Sequence, residues 1–79
     1  MDKKSFEQWI VRVNTGLIEL QIEFEPFFKD KDLQDFYHLE IGEESHQLSI
    51  EILQRDKLPK NIADRMLEIV YTSKPDDAA

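Results

Sequence analysis

A chain of 79 residues without cysteine makes one domain that hides only about 60% of the surface its unfolded form exposes, with neither a disulfide framework nor a thiolate metal site to support it. Its 17 acidic residues against 10 basic ones give a net charge of −7, which argues against direct nucleic-acid binding or an anionic membrane surface and fits a basic protein partner more easily. The longest apolar runs are three residues, far below the roughly 18 of a membrane span. The start, Met-Asp-Lys-Lys-Ser-Phe-Glu-Gln-Trp, meets polar side chains before a signal-peptide apolar region can form, so the expected setting is cytoplasmic. A charge of this size also has a plain reading, since it keeps a small domain soluble.

Residues 1–4 read as a frayed start. Phe6, Trp9, Ile10 and Val13 fall at helical spacing behind a Ser5/Gln8 capping box, yet Trp9-Ile-Val-Arg-Val13 is equally good strand composition. Asn14-Thr-Gly16 signals a turn. Beyond it, Ile18, Leu20, Ile22 and Phe24 alternate strictly with Glu19, Gln21, Glu23 and Glu25, which in an extended chain separates an apolar face from an acidic one. A hairpin with Val13 opposite Ile18 sets Val11 on Leu20 and Trp9 on Ile22, apolar against apolar. Pro26 stops the strand, and Asp32 is a good cap for a helical turn over Asp32–Asp35.

Tyr37, Leu39 and Ile41 then alternate with His38 and Glu40, Gly42-Glu-Glu-Ser45 supplies a turn, and Leu48, Ile50 and Ile52 alternate with Ser49 and Glu51. Pairing Ile41 with His46 brings Leu39 to Leu48 and Tyr37 to Ile50, a second hairpin. After Leu58-Pro59, the stripe Ile62, Met66, Ile69 and Val70 is that of an amphipathic helix, with Asn61 as its cap. The tail 73–79 has no apolar residue beyond alanine and is expected to be disordered. Ala78-Ala79 is similar to the ending of bacterial degradation tags.

These elements make a single α+β domain over residues 1–72: a small antiparallel sheet of two β-hairpins covered by a C-terminal helix from about Lys60 to Tyr71. The alternative is an all-α helical bundle. Phe6, Ile10, Val13, Leu17, Leu20, Phe24 and Phe27 keep a 4-3-4-3-4-3 spacing, the seam of a coiled coil. That helix runs through Asn14-Thr15-Gly16 and leaves Val11, Ile18 and Ile22 as a second apolar stripe on its far side.

Chemistry has few footholds. Ser5, Ser45, Ser49 and Ser73 lie in no nucleophile elbow, and no glycine-rich loop is available to cradle a phosphate. The carboxylates sit at polar positions, where nothing raises a pKa for general-acid work. The most pointed local pattern is Glu43-Glu44-Ser45-His46. On a helix, Glu-x-x-His puts a carboxylate and an imidazole on one face; with Tyr37-His38 upstream and Leu58-Pro59 downstream, the stretch resembles the second helix of ferritin-like proteins. That resemblance implies a metal-binding helical half-bundle that dimerises, using Glu43 and His46 with Glu19 or Glu23 from a preceding helix.

The favoured reading is a non-catalytic interaction module without a cofactor, of the regulator, inhibitor or immunity type. It binds a basic protein through an acidic sheet face carrying Glu19, Glu23, Glu25, Glu40 and Glu51. The plainer reading of that face is the solvated side of an antiparallel sheet. Any of Trp9, Phe27, Phe28 and Phe36 too large for a small core joins the interface, and a homodimer is compatible with the composition.

Overall fold

The first helix begins where the sequence suggests a frayed end. Asp2 caps it, its carboxylate accepting the Ser5 N–H at 2.7 Å, and α1 runs unbroken over Lys3–Glu23. The computed structural model describes residues 1–75. Phe24 closes α1, and Pro26 stands in the first turn of a short α2, Glu25–Phe28, where its missing N–H costs nothing. A single 3₁₀ turn, Leu33–Phe36, follows behind Asp32, which caps it through the Gln34 N–H at 3.0 Å as its sequence position suggested. Strands β1, Tyr37–Gly42, and β2, Gln47–Ile52, form one antiparallel hairpin, and α3, Lys60–Thr72, ends the described fold.

The architecture is therefore α+β with a C-terminal helix packed on a two-stranded sheet. The N-terminal hairpin of the sequence reading is replaced by α1. Residues Phe6, Trp9, Val13, Leu17 and Leu20 form its buried stripe, and with Ile62, Ala63, Met66 and Val70 of α3 and Leu48 and Ile52 of β2 they make one core. Gly16, read as a turn residue, is a helix contact instead. A Cβ built on it would stand 2.7 Å from Ile69 Cγ2, so its absence lets α3 approach, at a helix-propensity cost of about 1 kcal/mol.

The second hairpin forms, displaced by two residues from the expected register. Tyr37 pairs with Ile52, Leu39 with Ile50 and Ile41 with Leu48. A two-residue shift returns every side chain to the same face, so apolar matching alone does not separate the two registers. The turn does. His46, at φ 53°, leaves the ladder: its Nδ1–H donates to the Met1 carbonyl at 2.6 Å, and its ring stacks on Phe6 at 5.2 Å. Gly42 and Gln47 then close the loop. Met1 is partly buried against the core.

Helix α3 also differs in its cap. Pro59 holds that place, its carbonyl accepting the N–H groups of Ile62 and Ala63 at 3.1 Å each, and Asn61 lies inside the first turn. Beyond α3, Ser73 N–H returns to the Ile69 carbonyl at 3.1 Å and Lys74 Nζ lies 5.6 Å over the Trp9 ring. Ala78-Ala79 and the rest of 76–79 lie outside the described residues.

The Asp2 cap carries a pH signature. The Ser5 backbone N–H is the main reason its carboxyl is held below the usual aspartate value, with Ser5's side chain and the N-terminal charge adding to it. A lowered folded pKa gives stability that is present above the unfolded value and is lost as pH falls through the folded one. Thermal melts of wild type and Asp2→Ala should therefore be separated at pH 7, wild type higher, and should converge in acid below the folded value. A separation that persists there would assign the effect to something other than this carboxylate.

Candidate interaction surface

Helix α1 has apolar side chains on two opposite sides. Nine residues make two and a half turns at about 3.6 residues per turn, so Val11 points directly away from Leu20, which is 1% exposed. Ile18 and Ile22 lie within about 20° of Val11 around the helix axis. These three are 62%, 62% and 68% exposed. They form the stripe that an all-helical reading of this segment requires. At its C-terminal end the stripe runs into a cleft of about 520 Å³ lined by Ile18, Gln21, Ile22, Glu25, Phe28 and Lys29.

Charge is unevenly spread along this helix. Its first half holds Lys3, Lys4 and Arg12 against Glu7, whereas its second half holds Glu19 and Glu23 with no base, and Glu25 follows. Glu23 is taken up by an ion pair with Arg65 of α3 at 3.2 Å, both groups being half exposed, an arrangement worth little by itself. Arg12, Glu19 and Glu25 make no ion pair among the described residues. Comparison with protein-family models, curated proteins and solved structures gave no match.

The five carboxylates expected on one sheet face are all exposed, but the fold divides them. Glu19 and Glu23 stand on α1 and Glu25 opens α2. Glu40 and Glu51 project from the outer face of the hairpin, where Glu51 faces His38 and Glu40 faces Ser49 across the strands. No single sheet carries all five, because the segment that was to supply its first hairpin is helical. The aromatics resolve inward: Trp9, Phe28 and Phe36 are buried, and half-buried Phe27 joins the last two in one ring cluster.

Glu43 and His46 do not share a helical face. They belong to the β1–β2 turn, where the i, i+3 geometry of a helix does not apply, and Nδ1 of His46 is committed to Met1. Among the described residues no group of three or more His, Asp or Glu side chains is placed to hold a metal ion. Also among them, no helix is long and apolar enough to cross a membrane. Tyr37, at the start of β1, has its phenol pushed up by burial, with the Asp32 charge adding to the effect.

Proposed function

We propose that this chain is a small non-catalytic protein-interaction module whose contact surface is the outward face of α1, and that its partner presents a basic amphipathic helix. The observation that carries this reading is the second apolar stripe. Folding buries the stripe from Phe6 to Leu20, and leaving Val11, Ile18 and Ile22 about two-thirds exposed forgoes about two-thirds of the roughly 1.5–3 kcal/mol that full burial of each is worth. A partner helix laid along the stripe recovers that burial in the helix-in-groove manner. Its cations meet Glu19 and Glu25 on the acidic half of this surface. Glu40 and Glu51 form a separate, smaller acidic patch on the hairpin.

A fluorescent helical peptide built from leucine and lysine in heptads is the direct probe, titrated into submicromolar protein and followed by anisotropy. Wild type should bind it, more weakly as salt is raised, and should ignore a leucine and glutamate peptide of the same pattern. Combining Ile18→Asp with Ile22→Asp should weaken binding by about tenfold or more, a loss of at least about 1.4 kcal/mol, while the melting curve stays near that of wild type. Equal binding by the double variant would overturn the assignment of this face.

A further inference from the structure

Resting on that contact face, we infer its occupant: a second copy of the same chain, whose α1 lies antiparallel across the stripe. The cation that the face calls for is present in the chain itself, as Arg12 in the first half of α1, two turns before Glu19. Gln8, Val11, Thr15, Ile18 and Ile22 follow the 3-4-3-4 spacing of a coiled-coil seam. A twofold axis between Gly16 and Leu17 sets Val11 on the partner's Ile22 and Thr15 on the partner's Ile18. The same register brings Arg12 alongside the partner's Glu19, and by symmetry Glu19 alongside the partner's Arg12.

Parallel pairing lacks this match. It stacks the Lys3 and Lys4 end on its own copy and Glu23 with Glu25 on theirs, and it aligns the two helix dipoles. The antiparallel arrangement overlaps residues 10–23 of the two helices, sets each Arg12 near the partner's Glu19, and opposes the dipoles. The rest of each protomer sits behind the buried stripe, half a turn around α1, which leaves the outward side open for a helix at the usual 8–10 Å spacing.

The size of the contact sets its strength. In this register residues 10–23 of the two α1 helices overlap, about 21 Å at about 1.5 Å per residue, so a strip about 10 Å wide falls well below the roughly 800 Å² per partner of a standard interface. The dimer is therefore weak and reversible.

Sedimentation velocity over a range of concentrations reads this directly. The apparent mass should climb from 9.4 kDa toward twice that value. Arg12→Glu and Glu19→Arg should each weaken self-association by about tenfold, whereas an equimolar mixture of the two variants should associate at least as well as wild type, since every facing pair is then opposite in charge. The chain has no cysteine, so Val11→Cys and Ile22→Cys report orientation: mixed together they should form a disulfide under mild oxidation, and Val11→Cys alone should not. A homodisulfide of Val11→Cys would show parallel pairing and overturn the arrangement. A chain that stays at monomer mass up to several hundred micromolar would overturn the dimer itself. If that monomer still binds the leucine and lysine peptide through Ile18 and Ile22, the contact face stands and only its occupant is wrong. Loss of both would remove the face as well.

Discussion

Leu17→Ala should cost about 2–5 kcal/mol of unfolding free energy, while Ile18→Ala, one position along, should stay within about 0.5 kcal/mol of wild type. The two residues are nearly equal in size and apolarity. They differ in direction: Leu17 is 1% exposed in the core shared by α1 and α3, and Ile18 is 62% exposed on the opposite side. Truncating Leu17 leaves a cavity in the core it shares with Val13, Leu20 and Met66, which closes only by shifting a close-packed interior. Truncating Ile18 removes atoms that are mostly in water in the folded state as well. For a domain of this length, stability at about 0.05–0.15 kcal/mol per residue is modest, so Leu17→Ala takes a large share of it. Urea unfolding followed at 222 nm, at protein concentrations below self-association, measures both. A reversed order, with Ile18→Ala the damaging change, would mean that residues 17–25 form a strand after all.

The same pair explains what was legible in the sequence. The alternation of Ile18, Leu20, Ile22 and Phe24 looks like a strand because two helical stripes on opposite sides of α1 interleave. Ile18 and Ile22 belong to the outward one, Leu20 and Phe24 to the inward one, and their merged spacing is two. The seam beginning at Phe6 was visible as an alternative, but the second stripe counted against it. That stripe is mostly exposed and stands apart from the core, and local patterning is expected to mislead where apolar residues do not face the core. Gly16 misled for a related reason. Its lack of a side chain answers to Ile69, a contact between residues far apart in the chain that no window around position 16 reveals.

The C-terminal half was easier to read. Strands β1 and β2 alternate with one polar face and one apolar face, and α3 carries a single stripe, so pattern and structure agree on type and direction. The α3 cap, at Pro59 in place of Asn61, and the hairpin register escaped, the register because His46 reaches Met1 and Phe6 across 45 and 40 positions of sequence. Of the five carboxylates, Glu40 and Glu51 kept the outward position read from alternation. Glu19, Glu23 and Glu25 kept their exposure but moved from a sheet to helices.

Trp9→Phe should lower stability by about 1–3 kcal/mol although an aromatic ring is retained. The buried indole Nε1–H donates to the Val70 carbonyl at 2.8 Å, and that carbonyl is among the last four of α3, which have no continuing turn to accept from. Phenylalanine preserves most of the packing around Phe6, at 6.3 Å between ring centres, but strands a buried acceptor, and an unsatisfied buried carbonyl costs more than the net gain of an ordinary hydrogen bond. Because the chain has one tryptophan, its indole proton gives a single resonance in a nitrogen–proton spectrum. That proton should exchange with solvent only through global unfolding, with protection matching the unfolding free energy. Rapid exchange, or a Trp9→Phe variant as stable as wild type, would show that the bond does not join α1 to the end of α3. Trp9 faces the core while Val11, two residues on, faces outward. A folded Trp9→Phe protein should therefore bind the leucine and lysine peptide as wild type does, separating the side of α1 that holds the fold from the side proposed to meet a partner.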